Sequence, residues 1–379
     1  MRIQSIQIGI TDFCNLRCVH CGQNASEGYG HPNNMGPAEF RAGKLGFMKI
    51  SLYEKILHDF IDDNIEFDVF NFYWFGETLL HPRFREFFKM TFKYRCFDKF
   101  WLYTNGVLLD IETLRFILNN SKGFDRLYFS LDAGDEESFK TIKRTDDFNR
   151  VVENFKNAIR IKKEMGLEKP QLVLGLIVLP ENVDSLELII SDIMNFAKDI
   201  GLKFHLVCDS PHPQEDCIYI RVAYLPEQSK FEKVYQNFLK KIGLLEEVPE
   251  GEVEILRKTN MLMIDKETLK PEVKIRPACP APFRMVTVNW DGRLAICCSD
   301  YELEVKLPSL EDMSFLKAWN SREYFEIRKA HLTGEFGIIP RCEHCGGIDA
   351  LPLEKEDIER LGEEYMDLFD KYKRRLNNV

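Results

Sequence analysis

Three cysteines, Cys14, Cys18 and Cys21, stand at a C-x3-C-x2-C spacing just after the apolar run Ile3–Ile10. The run reads as a strand, so the thiols fall on the loop at its C-terminal end. A loop this short can turn three thiolates toward three corners of a cubane iron–sulfur cluster. The fourth iron is then open to a small molecule. Zinc is the rival reading, yet structural zinc takes four closed ligands. The local fourth donor, His20, adjoins Cys21 and is badly placed to share its metal. A second set, Cys279, Cys297, Cys342 and Cys345, flanks a hairpin signal at Asp291-Gly292. Four thiolates there suit either a saturated cluster or a tetrahedral zinc ion.

The elements that must carry these residues alternate. Apolar strand-like runs recur at Asp68–Trp74, Lys99–Tyr103, Asp125–Leu131, Gln171–Val178 and Lys203–Val207, with helical periodicity between them. A helix is expected from Ser51, with Glu54 completing a capping-box pattern. Six strand–helix units predict an α/β fold, a parallel sheet curved into a partial (βα)6 barrel, with ligands at the strand C-termini. Polar residues fall at those ends. They are Gly76-Glu77 after the second strand, Asn105 in a turn signal after the third, and Ser130 and Asp132 after the fourth. Lys143-Arg144 follow on a helix, and Gly175 and Asn182 mark the fifth strand and its end. Alternation puts Ser130 and Asp132 on one side. The hairpin expected around Asp291-Gly292 pairs Arg284–Asn289 with Arg293–Cys298, and Leu310–Leu332 reads as helical. Domain boundaries are expected at 1–210 (barrel), 211–275 (bridge), 276–350 (second cysteine set) and 351–379, with an amphipathic helix over Lys355–Arg375.

The first cysteine motif at the end of a first strand, with a ring-bearing His20 before Cys21, resembles the radical S-adenosylmethionine (SAM) superfamily. The resemblance implies that the open iron chelates the amino and carboxylate groups of SAM. Reductive cleavage then yields a 5′-deoxyadenosyl radical. Gly76-Glu77 resemble the family's Gly-Gly-Glu-Pro segment, with Phe75 and Thr78 departing from it, which implies contact with the SAM amino group. Ser130 and Asp132 match the ribose-binding position, Arg144 the partner of the SAM carboxylate, and Gly175 and Asn182 the adenine site. Asn105 is a further candidate contact. Gly292-x4-Cys297 followed by Cys342-x2-Cys345 resembles the SPASM/twitch extension. No cysteine follows Cys345, so the match is to the twitch form with one auxiliary cluster, two 4Fe-4S clusters in all. A flavodoxin- or ferredoxin-type electron donor is implied as partner.

The 379 residues carry 45% hydrophobic and 30% charged side chains and a net charge of −10. That charge argues against a nucleic-acid binder with a broad basic surface. No apolar run reaches a membrane span and no signal peptide is evident, so a cytoplasmic setting is expected. Eleven cysteines in such a chain point to metal or redox use. A saturated auxiliary cluster can accept the electron left after hydrogen-atom abstraction, which predicts an oxidoreductase. Two substrate classes follow from the resemblance, a small-molecule carbinol and a ribosomal peptide or protein. The start of this sequence at the barrel strand tilts the expectation to the small molecule. A redox-neutral epimerase is the alternative, with Cys208 or Cys217 returning the hydrogen atom from near the barrel mouth. His81, His205 and His212 are the candidate bases, Cys96 is expected to be a buried apolar residue, and Cys298 competes with Cys297 as ligand.

Overall fold

The computed structural model describes residues 1–21, 45–120, 123–208, 215–222, 228–244, 279–298, 300, 303, 305–339, 342 and 360–363. Among these, nine strands form one sheet: β1 (Arg2–Ile8), β2 (Glu66–Phe72), β3 (Phe97–Thr104), β4 (Phe124–Ser130), β5 (Gln171–Val178), β6 (His205–Cys208), β7 (Cys217–Val222), β8 (Met285–Val288) and β9 (Leu294–Ala295). Their order is β6-β7-β5-β4-β3-β2-β1-β8-β9. Every pairing is parallel except β8 with β9. The sheet stays open, as a partial barrel does. The helices are α1 (Ile50–Asp62), α2 (Phe84–Lys93), α3 (Ile111–Asn119), α4 (Glu136–Lys143), α5 (Phe148–Glu164), α6 (Leu186–Asp199), α7 (Gln228–Lys241), α8 (Ala281–Arg284), α9 (Phe315–Trp319) and α10 (Arg322–Thr333). No helix among the described residues is long and apolar enough to cross a membrane.

Strand alternation sorts the two faces. Phe70, Phe72, Phe100, Leu102, Leu127, Phe129, Leu174 and Leu176 point to the helix layer and form the main core. The opposite face carries Tyr128, Val173, Cys217 and Tyr219, with Tyr103 and Val207 packed on them. Tyr73, Tyr103 and Tyr128 stand in sequence there, with ring centroids 4.5 and 4.9 Å apart, and Arg126 lies 4.2 Å over Trp101. One face is thus an apolar floor for helices, and the other is a polar, aromatic wall.

Four sequence expectations change. Between β5 and β6 runs β7, unforeseen, and it draws part of the expected bridge into the sheet. Ile218 and Ile220 enter the main core and hold it there. The expected hairpin also gains a partner in the barrel sheet, β8 pairing with β1. The helix expected from Ser51 starts at Ile50 without a side-chain cap. Met48 N–H donates to Ile10 O (2.8 Å), so the chain enters the helix from an extended segment. The helix expected over Leu310–Leu332 is two, because Ser321 Oγ accepts Tyr324 N–H (3.3 Å) and starts α10 afresh. The helix expected over Lys355–Arg375 falls mostly outside the described residues, as do Cys345 and His212.

Phe100 sits where the helix-side core is densest, with the rings of Phe72, Phe92 and Phe124 at 5.4, 5.0 and 5.5 Å. Phe100→Ala is expected to cost about 3–5 kcal/mol, to be measured by urea denaturation. A loss under about 1 kcal/mol, the range of a partly exposed site, would show that this cluster does not anchor the sheet.

Candidate active site

The loop carrying Cys14, Cys18 and Cys21 is tied down by backbone bonds before any ligand is considered. Asp12 N–H donates to Gly46 O (3.3 Å). Arg17 N–H donates to Lys143 O (3.2 Å) and Val19 N–H to Ile142 O (2.9 Å), so the end of α4 grips the loop. Cys14 Sγ accepts the N–H of Leu16 at 3.4 Å and lies 3.9 Å from Asn105 Nδ2. Burial pushes the Cys14 thiol up to about 12, helped by the Glu77 carboxylate. Burial likewise pushes Cys18 up to about 11, against the pull of Lys143. Cys14, Cys18 and Cys21 lie close enough to raise one another's pKa, and with N–H donors at the Cys14 sulfur they fit a cluster of three thiolate ligands, since metal binding supplies the deprotonation that burial opposes.

Gly76 has φ +75°, and a Cβ there would stand 2.5 Å from Thr11 O and 2.6 Å from Phe13 O. Only glycine lets the segment after β2 lie against the cysteine loop. Glu77 N–H then donates to Phe13 O (2.8 Å). The Glu77 carboxylate turns inward. Its Oε1 accepts from Thr104 Oγ1 (2.9 Å) and Leu79 N–H (3.2 Å), and its Oε2 from Asn105 N–H (2.7 Å). Burial raises its pKa against these three bonds. In this conformation Glu77 joins the ends of β2 and β3.

Asp132, at φ +54° and fully buried, is the hub of the β4 end. Its Oδ2 accepts from Lys143 Nζ (2.5 Å) and Ser130 Oγ (2.8 Å) and lies 3.5 Å from His20 Nε2. Its Oδ1 accepts Ile177 N–H (2.8 Å). Burial alone would raise the Asp132 pKa, but Lys143 and His20 outweigh it and hold the carboxyl well below its usual range. Burial likewise opposes the charge on Lys143, and Asp132 overrides it and raises the amine. Asn182 donates to Asp132 O and Ile177 O (both 2.8 Å) and so fixes the turn after β5. Arg144, expected at the carboxylate, is instead the exposed left-handed C-cap of α4, and Lys143 holds the interior position. Gly175 does allow close approach, but Tyr128 takes the space: a Cβ at 175 would overlap the Tyr128 hydroxyl.

In the second set, burial pushes the Cys297 thiol well up, with Cys298, Cys279, Asp300 and Cys342 close enough to add to it. Asp300, which the sequence reading passed over, is fully buried and accepts Ile296 N–H (3.2 Å). Cys279 N–H donates to His331 Nδ1 (3.4 Å). Trp74, two residues before Gly76, donates its indole N–H to Cys298 O (2.9 Å). Its ring packs with Phe75, Ala295 and Leu303.

Family models for the Radical SAM superfamily and for the SPASM iron–sulfur cluster-binding domain match residues 8–193 and 279–346. The chain belongs to the radical SAM superfamily. Radical SAM and SPASM domains imply SAM, a SAM-binding cluster and auxiliary iron–sulfur, and the two cysteine sets lie inside the matched segments. Among relatives, the "tungsten-containing aldehyde ferredoxin oxidoreductase cofactor-modifying protein" of Pyrococcus furiosus is 24% identical over 95% of this chain and 92% of its own. A "probable GTP 3',8-cyclase" of Methanocaldococcus jannaschii is 25% identical over 86% of this chain and 97% of its own. Among solved structures, anSMEcpe with bound AdoMet superposes with TM-score 0.54 at 17% identity, covering 100% of this chain and 96% of that one. Streptococcus suis SuiB bound to its precursor peptide SuiA gives TM-score 0.53 at 11% identity, covering 86% of this chain and 66% of that one.

The two residues expected to return a hydrogen atom are packed on the sheet. Cys208 packs with Leu206 in the helix-side core. Cys217 opens β7 rather than lying at the mouth. It is fully buried under Tyr128 and Tyr219, and burial pushes its thiol up to about 12. The candidate bases are similarly occupied. His81 is buried, with Nε2 on Met48 O (3.1 Å) and Nδ1 accepting Arg83 N–H (3.0 Å). His205 starts β6 and pairs with Glu215. Cys96 is buried in the core, as expected.

The Asp132–Lys143 pair makes a pH-dependent statement. A depressed carboxylate pKa contributes fully above its unfolded value, about 3.9, and loses that contribution as pH falls toward the folded value. A raised lysine contributes fully below about 10.4 and loses it as pH rises through its folded value. Between these limits the pair's contribution is level. Lys143→Met strands a buried carboxylate and is expected to cost about 3–5 kcal/mol at pH 7. The deficit should shrink as pH falls, because protonation neutralises Asp132. In urea denaturation of the metal-free protein, a pH-independent deficit would show that the pair is not what Lys143 supports.

Proposed function

We propose that the chain abstracts a hydrogen atom from a small-molecule substrate and completes a two-electron oxidation, dehydrogenation of a carbinol being the favoured case. SAM, its cluster and one auxiliary cluster would supply a carbon-centred radical and an acceptor for the remaining electron. The observation that carries this reading is the Trp74 indole N–H on Cys298 O (2.9 Å). One side chain from the segment leading into Gly76-Glu77 thus reaches the peptide next to Cys297, giving an electron a path of few steps between the two sets. Cys279, Cys297, Cys342 and, beyond the described residues, Cys345 would ligate the auxiliary cluster. Four thiolates leave no iron open to substrate, which favours an electron-accepting role.

The small-molecule branch is supported by the inner wall. Tyr73 is 42% exposed, and it stands beside Tyr103 above the Trp101–Arg126 pair. Such a wall can flank a compact polar or planar substrate. The Pyrococcus relative, named for modifying a cofactor and matched along nearly its whole length, agrees with that choice. The redox-neutral alternative loses support because Cys217 is fully buried at the start of β7 and Cys208 packs on the helix-side core.

The test is anaerobic incubation of the reduced, reconstituted protein with SAM and either the low-mass or the peptide and protein fraction of a cell extract. Formation of 5′-deoxyadenosine should rise above its substrate-free rate with the low-mass fraction alone. A Cys297→Ala/Cys342→Ala variant should keep cleaving SAM while oxidised product falls at least about tenfold, about 1.4 kcal/mol in transition-state terms. Stimulation by the peptide fraction alone would overturn the substrate class. Undiminished product from the variant would overturn the auxiliary acceptor.

A further inference from the structure

Asn105 follows Thr104 at the end of β3 and is buried. Its backbone is pinned by Glu77 Oε2, which accepts its N–H at 2.7 Å. Its side-chain Oδ1 accepts Val107 N–H at 3.1 Å. That bond assigns the amide, since the oxygen must face Val107 and the nitrogen must face the cysteine loop. There Nδ2 donates to Asn15 Oδ1 (2.8 Å) and stands 3.9 Å from Cys14 Sγ.

A turn alone does not account for this arrangement. The Asn-Gly pair does form a turn, with Gly106 at φ +81°. But the Asn105 side chain spends its second hydrogen-bonding group on the neighbouring cysteine loop. Reducing an iron–sulfur cluster adds an electron that is shared with its thiolate sulfurs. A donor aimed at one sulfur therefore stabilises the reduced form more than the oxidised form and raises the potential. A neutral amide does this without placing another charge beside the buried Glu77 carboxylate.

We propose that Asn105 is a positioning residue whose amide N–H donates to the Cys14 sulfur and raises the reduction potential of the SAM-binding cluster, with the buried Glu77 carboxylate holding it in place. Glu77 then acts on this cluster through Asn105. Cys14 is taken as a cluster ligand, in keeping with the family.

The test is an anaerobic redox titration followed by electron paramagnetic resonance on the fully reconstituted chain without SAM, with the auxiliary cluster as internal reference. Asn105→Asp keeps the shape and the Val107 acceptor but turns a carboxylate toward Cys14. Asn105→Ala removes the side chain. Both should shift the SAM-binding cluster negative, the aspartate further. The expected size is an about tenfold lower ratio of reduced to oxidised cluster at a fixed poise, equal to about 59 mV for one electron. The auxiliary potential should stay put. No shift in either variant overturns the proposal, and so does an equal shift of both clusters. Loss of the first cluster's iron in both variants also overturns it, because the amide would then build the loop and not set its potential.

Discussion

The site depends on one close approach. The carbonyls of Thr11 and Phe13 occupy the space where any side chain at position 76 would begin, and Glu77 N–H donates to Phe13 O (2.8 Å). That contact presses the segment after β2 against the loop after β1. Once it is made, Glu77 is buried and its carboxylate must find donors, because an unpaired buried charge is costly. It finds them at the end of β3, in Thr104 and Asn105. Three strand ends become a single hydrogen-bonded unit, and Cys14 lies on top of it.

The opposite flank of the loop is held by charge. Lys143 at the last turn of α4 gives its carbonyl to Arg17 N–H and its ammonium to Asp132. The same residue anchors the loop mechanically and compensates the hub of β4. His20, from within the cysteine motif, faces the same carboxylate. Replacing a buried pair of this kind by one member alone is worse than having neither, since the uncompensated charge remains. The cysteine loop is therefore clamped between a hydrogen-bond network centred on the Glu77 carboxylate at β2–β3 and an ion pair at β4–α4.

The parallel sheet, the cysteine motifs and the strand ends were legible in the sequence because each depends on local pattern. Buried parallel strands read as apolar runs, and the β5 bounds, Gln171–Val178, are those expected. What was not legible depends on contacts distant in sequence. Strand β7 is a short run whose place is set by Ile218 and Ile220 entering a core built elsewhere. The choice between Lys143 and Arg144 is a different case, because the phase of α4 contained it. Phe139, Ile142 and Lys143 fall on one helical face and all are buried. Arg144 comes one step later, where the chain leaves the helix at φ +65° and turns outward. Glu77 was found by motif, but its inward engagement with Thr104 and Asn105 could be seen only once β2 and β3 were paired in register.

The second cysteine set shows the same economy. β8 pairs with β1 through Ser5–Ile8 and carries the hairpin on the barrel sheet itself. The peptide at Cys298 is fixed by Trp74, whose backbone belongs to the segment before Gly76. Any shift of that segment would move the cysteine loop through Phe13 and the second set through the indole at once. The geometry of the two sets is therefore coupled through residues 74–77, a stretch of four in which Trp74, Gly76 and Glu77 each make a contact that their neighbours in sequence could not make.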